Sequence, residues 1–344
     1  MSAITSMRKG ILIGIVVVFC LGFVFNTPGI AADKPLVLRI GHVVTEKGVE
    51  HLASVRLAEI LEEKSNGSIK LEIYPNAQLG GNREMLESLQ AGVMDFALPA
   101  LPALGGFTKG TRVFDLPYLF ENDEEAEKVL DGPVGEKVAA SVEPAGLKIM
   151  AWWSQGWRNL TTNDTSVKVP EDVKGLKIRV MENPLHIAHW NMLGASAIPM
   201  AFSEVLTSLQ QGVLDAQENP YQNIKQSGFD EVQDYIIETR HIYGPLPVVM
   251  SKMTWDRLND DQKVIILSAM QESVSEARQI CKDINNGIKE NILNSGGTKI
   301  IELNEDERYA FKEKVLPLYK ESAPELNGLL EEIYEELGKE VDWK

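Results

Sequence analysis

One twelve-residue phrase occurs twice. Positions 84–95 read EMLESLQAGVMD and positions 204–215 read EVLTSLQQGVLD, identical at eight places. Each copy has the pattern of an amphipathic helix stopped by a glycine, Gly92 or Gly212, followed by a buried strand entered through Asp95 or Asp215. Asn82 and Ser203 stand where helix caps belong. Two copies are too few for a solenoid, whose repeats cover one another's apolar faces only in longer stacks. The duplication therefore predicts two lobes on similar plans. In such α/β molecules ligands bind between the lobes, beyond the carboxyl ends of strands.

The rest of the chain alternates strand and helix signals, which predicts mostly parallel sheet flanked by helices. Leu36 to Gly41 alternates as a strand; Leu52 to Glu63 has helical spacing and stops at Ser65-Asn66-Gly67. Further strands are expected at Ser68 to Tyr74, Lys148 to Trp153, Trp157 to Thr161, Lys177 to Val180 and, after Pro245 and Pro247, Val248 to Ser251. Asp260 to Leu293 reads as a bracing helix, single or divided at Asn285-Asn286-Gly287; Lys299 to Glu302 reads as an edge strand, and Asn304 starts the last acidic helices. The division that follows places 33–155 with about 246–285 in lobe I and 156–245 in lobe II. The brace covers 260–293, and 294–344 pack on the lobes.

The first residues have the order of an export signal. Arg8 and Lys9 precede an apolar run from Ile11 to Phe25, Pro28-Gly29 breaks it, and Ala31-Ala32 offers small residues for cleavage, giving a signal peptide over 1–32. The run is short for a membrane span, which needs about 20 apolar residues. Beyond it Cys281 is the only cysteine, so no internal disulfide can form and the core alone must hold the fold. An export signal without disulfides fits the bacterial periplasm. With a net charge of −16 and no basic stripe, the chain excludes nucleic acid as a partner. An anionic solute would need cations placed inside a cleft.

Enzyme signatures are missing: no G-x-S-x-G, no phosphate loop, no H-E-x-x-H and no dinucleotide fingerprint. Cys281 reads as a small packed hydrophobe. Glu182, His186 and His189 have part of a metal-ligand spacing, but Pro184 starts a helix and leaves Glu182 outside it, so no metal is expected. His42, at the end of the first strand, is either a ligand contact or a turn histidine. Arg179 alternates with apolar Ile178 and Val180, and Arg158 stands among Trp152, Trp153 and Trp157. A guanidinium matches a carboxylate with two parallel hydrogen bonds; the pattern alone nevertheless favours the pairing of each arginine with one of the protein's own many acids. Asn219, in Glu218-Asn219-Pro220, is either a strand-end ligand amide or a turn residue. Trp153, Trp157, Phe202, Tyr221 and Tyr243 are divided between core and pocket wall.

These segments in this order resemble the binding proteins of tripartite ATP-independent periplasmic (TRAP) transporters, the DctP type. The resemblance rests on Gln78-Leu79-Gly80, FDLPYLF at 114–120, GLKIRV at 175–180 and LQQGVLD at 209–215 followed by Glu218-Asn219-Pro220. It implies a two-lobed periplasmic binding protein of type II-like fold, not an enzyme, without cofactor. Such a receptor would act as a monomer with the small and large subunits of a membrane permease. It also implies that Arg179 grips the ligand carboxylate, Arg158 is a second cationic contact, Asn219 completes the polar clamp and Phe202 stacks on the ligand. Trp157, Tyr243 and His42 are added as pocket lining. The tryptophan-rich segment leans towards a sugar acid such as a uronate, with a C4-dicarboxylate as the other choice. A periplasmic enzyme or a chemoreceptor-type sensor on the same scaffold are the rival readings.

Overall fold

The computed structural model describes residues 34–343, so the export-signal expectation lies outside the described residues. Among the described residues nine strands form one mixed sheet: β1 (Leu36–Gly41), β2 (Ile69–Tyr74), β3 (Phe96–Ala97), β4 (Leu147–Thr162), β5 (Lys177–Val180), β6 (Ser196–Pro199), β7 (Ala216–Asn219), β8 (Tyr235–Ser251) and β9 (Lys299–Glu302). Their order is β2-β1-β3-β8-β4-β7-β5-β6, with β9 at the far end of the β8 edge that also holds β3. β4 and β8 are antiparallel partners of 16 and 17 residues and pass through both halves of the sheet. β2, β1 and β3 run parallel beside the end of β8. β7, β5 and β6 run parallel beside the end of β4. The repeated phrase accounts for this arrangement: its copies supply helix Asn82–Gln90 with β3 and helix Val205–Gln210 with β7, one in each half.

Both glycine stops hold left-handed backbone, φ 67° at Gly92 and 69° at Gly212, which a side chain would strain. The expected caps are corrected. Asn82 is the first helical residue and its Oδ1 accepts from the amide of Ala100 at 3.2 Å, while a 3₁₀ turn over Phe202–Glu204 absorbs Ser203. Strand β8 is far longer than expected. Pro245 and Pro247 sit two apart, so both ring nitrogens lie on one edge. β3 meets β8 only at Val249 and Met250, and β9 only at Tyr235 to Glu238, so among the described residues nothing on that edge needs their missing N–H groups.

Helix Asp260–Ser295 is continuous over 36 residues, opened by an Asn259–Gln262 capping box and closed by left-handed Gly296. Asn285 does not interrupt it. The Asn285 side chain donates to the carbonyls of Gln155 (3.2 Å) and Cys281 (2.9 Å), and its Oδ1 accepts from the amide of Gln222 at 3.1 Å. The helix packs Ile266, Ala269 and Met270 with Leu57, Trp153 and Leu246, and sets Ile292 beside Leu214 and Phe229 in the other half. Arg278 adds a fork to Asp131 at 2.6 and 2.8 Å.

Candidate binding cleft

Arg179 is the last residue but one of β5, with 2% of its surface exposed. Ile178 and Val180 go to the apolar core of that half, so the arginine faces the opposite side of a strand whose end is covered. Its Nε and Nη2 donate to the carbonyl of Met200 at 3.0 and 2.7 Å, and its Cζ lies 5.9 Å from the centre of the Phe202 ring. Among the described residues no carboxylate comes within ion-pair distance. Burial pulls its pKa down to about 10; Glu218 and Glu182 counter this from farther away, and Arg158 adds to it. A desolvated cation with only a carbonyl partner is a site for an anion.

Arg158, on β4, is differently placed. Its Nε and Nη2 hold both carboxylate oxygens of Glu218, Nη2 at 2.9 Å from Oε1, and Nη2 also reaches the Glu218 carbonyl (2.6 Å) and Asn219 Oδ1 (3.3 Å). The antiparallel register of β4 with β7, Asn159 opposite Asn219, sets these groups side by side. Asn219 donates in turn to Gln217 Oε1 at 2.6 Å. Glu218 has no exposed surface. Burial would raise its pKa, but Arg158, His186 and His241 together hold it well below the carboxylate range. The Nε2 of His241 lies 3.1 Å from Glu218 Oε2, and His186 lies between Glu218 (3.7 Å) and Asp115 (3.5 Å).

The structure thus brings Arg179, Arg158, Asn219 and Phe202 together. His42 stands elsewhere, wholly buried at the end of β1 with Nε2 3.3 Å from His51 Nδ1. Burial first and His51 second push its pKa down to about 4, which leaves it neutral. Trp157 and Tyr243 are set apart from the arginines. Trp157 donates to Asp123 Oδ1 at 2.6 Å under the guanidinium of Arg240, and Tyr243 packs on Phe120. Both line a separate groove of about 330 Å³ against helix Asp260–Ser295. The bulge between Ser154 and Gly156 shifts the alternation of β4 just before Trp157.

The sequence points to Glu218, His186, His241 and Asp115 only indirectly, through the adjacency of Glu218 to Asn219 and the spacing of His186 and His189. Among the described residues no three His, Cys, Asp or Glu side chains are arranged to hold a metal ion. Around the cleft, polar contacts join the two halves. Glu50 accepts from Gln155 (2.6 Å) and Gln222 (3.1 Å), Gln222 Oε1 accepts from the amide of Val49 (2.8 Å), and Thr45 donates to Gln226 (2.8 Å). The side-chain amide of Asn183 donates to Asp115 Oδ2 (2.9 Å) and the Pro102 carbonyl (3.2 Å).

The model of the DctP family, bacterial extracellular solute-binding protein family 7, matches residues 40–325. Among similar proteins, the 2,3-diketo-L-gulonate-binding periplasmic protein YiaO of Escherichia coli (strain K12) is 32% identical over 90% of this chain and 94% of its own length. The C4-dicarboxylate-binding periplasmic protein DctP of Rhodobacter capsulatus is 33% identical over 90% and 92%. The crystal structure of the sugar acid binding protein DctPAm of Advenella mimigardefordensis strain DPN7T, in complex with galactonate, superposes with a TM-score of 0.83. It is 30% identical, over 88% of this chain and 99% of that one.

Proposed function

Because the chain belongs to the DctP family of bacterial extracellular solute-binding proteins, we propose that it is the receptor of a TRAP transporter whose Arg179 takes the carboxylate of a small organic acid. The observation that carries the assignment is the state of that guanidinium, 2% exposed and, among the described residues, bonded only to the carbonyl of Met200. A carboxylate arriving there replaces lost hydration with charge-assisted hydrogen bonds. Phe202 below the guanidinium supplies an apolar floor, and Arg158 and Asn219, held by Glu218 and Gln217, form a stiff polar wall. Because those two are already partnered, they orient the acid while Arg179 supplies the charge. A sugar acid is the preferred ligand and a C4-dicarboxylate the other.

The motion is closure of two lobes, 33–155 with about 246–285 against 156–245, about the point where β4 and β8 cross between halves. Gly156 faces Gly244 there, and Gly156 has φ 88°. The closed receptor, a monomer in the periplasm, then delivers its cargo to the small and large permease subunits. Thermal-shift and calorimetric titration with galactonate, 2,3-diketo-L-gulonate and succinate tests the site. Arg179→Ala should abolish binding, and Arg179→Lys should retain the charge yet lose most of the affinity, since an ammonium lacks the fork. Undiminished binding by Arg179→Ala would overturn the assignment.

A further inference from the structure

We propose that His186 is a positioning residue of this cleft, an imidazolium held between Asp115 and Glu218 that ties the two halves together, so that closing on an anion takes up a proton. The inference rests on the receptor reading above. Asp115 ends the 3₁₀ turn Gly110–Asp115, whose Val113 and Phe114 pack with Met85, Leu86 and Val249 of the first half. His186 lies on helix Pro184–Met192, whose Trp190 packs with Ile178 and Val180 of the second. All three groups are at most 1% exposed. Nε2 of His186 stands 3.5 Å from Asp115 Oδ1, and Nδ1 3.7 Å from Glu218 Oε1. These are distances for charge attraction rather than for aligned hydrogen bonds.

The charge count supports the cation. Two buried carboxylates face this spot. Glu218 has Arg158; Asp115 has the neutral amide of Asn183 and, among the described residues, no cation in reach except His186. The other groups nearby do not supply a second one. His189, on the same helix, lies against His241 of β8 with rings 5.3 Å apart, and burial first, then the neighbouring histidines, keeps His189 neutral. His241 is likewise pushed down by burial against the pull of Glu218. Arg179 of β5 acts on Glu218 rather than on Asp115. Burial alone would lower the pKa of His186 as well, but Asp115 and Glu218 overturn that and hold it above the ordinary 6.5.

The direction of the pH effect follows. Opening parts Asp115 from His186, and the imidazole returns towards 6.5. Below that pH it is protonated whether the cleft is open or closed, and its contribution to closure is complete. Above it, closing must take up a proton, so affinity falls as pH climbs through the closed-form value. Each pKa unit gained on closure corresponds to a tenfold loss of affinity across the window.

Calorimetry of galactonate and succinate binding to the exported chain from pH 6 to 9, wild type against His186→Gln, decides it. The ratio of variant to wild-type Kd should be large at pH 6 and shrink towards one at pH 9. Titrations in buffers of different ionisation enthalpy should show proton uptake in the wild type that His186→Gln loses. Glu50, whose pKa burial also raises at the contact between halves, shifts the wild-type slope in the same direction, so the ratio isolates His186. A ratio constant with pH, or equal proton uptake in both proteins, overturns the inference while leaving Arg179 standing. Should His186→Gln not fold, Asp115→Asn removes one of the two carboxylates and must reduce the uptake. If neither acid binds the wild type, the ligand class is what fails. NMR titration of the ligand-free protein must then place the His186 imidazole near its ordinary 6.5, and a raised value already present without ligand, leaving nothing to gain on closure, would overturn the inference.

Discussion

Arg158 and Arg179 are both buried cations, yet one is held by a carboxylate and the other by a carbonyl. Removing Arg158 leaves Glu218, which has no exposed surface, to its histidine neighbours alone, and breaking a buried ion pair costs about 3–5 kcal/mol. Removing Arg179 relieves a buried cation that, among the described residues, has no carboxylate within ion-pair distance. Urea unfolding without ligand should therefore show a large loss for Arg158→Met and a much smaller one for Arg179→Met, opposite in rank to their effects on binding. Equal losses would mean that Arg179 also has a carboxylate in solution. Both arginines were visible as candidates in the sequence, but only the family resemblance, not the local pattern, set them above pairing with the protein's own acids. Which of them was free was not visible, since Glu218 meets Arg158 only through the register of β4 with β7, 60 residues apart. His186 was legible only as a histidine three residues before His189; its partner Asp115 lies 71 positions earlier and is joined to it by no local pattern.

The strands β4 and β8 do at the element scale what the arginines do locally, since they carry the cleft and its hinge together. At their crossing, a Cβ on Gly156 would lie 3.0 Å from Asn285 Nδ2, and φ 88° is strained for any side chain. Gly156→Ala should cost about 1–2 kcal/mol from backbone strain alone. It should also displace Asn285 from the Gln155 carbonyl, loosening helix Asp260–Ser295 from the hinge. Gly287, on the same helix, has open space around a Cβ, so Gly287→Ala should instead stabilise by about 0.5–1 kcal/mol. Thermal unfolding of both variants, with small-angle scattering with and without galactonate, checks this. A Gly156→Ala protein with wild-type Tm and normal compaction would remove the hinge from that position. The sequence showed these strands only in pieces. Bulges break the alternation of β4, and Pro245 and Pro247 read as breakers until the empty edge of β8 explains them. The repeated phrase, by contrast, was a sound guide to the two halves, because a helix, a left-handed glycine and a buried strand form a local unit.

For the molecule as a whole, the net charge of −16 works against the anion that the cleft is built to hold. The two effects act over different distances. The surface charge repels from afar through water and ions, whereas Arg179 acts at contact in a place that solvent ions do not reach. Raising ionic strength from about 0.01 M to 0.15 M shortens the screening length from roughly 30 to 8 Å, which suppresses the repulsion and leaves the contact nearly intact. Stopped-flow tryptophan fluorescence should then show the association rate constant for galactonate rising with salt while dissociation changes little, so that Kd tightens modestly. That is the reverse of the usual behaviour of an anion drawn to a basic surface. A fall in association rate with added salt would show that a local positive field outside the cleft, and not the buried guanidinium, governs capture.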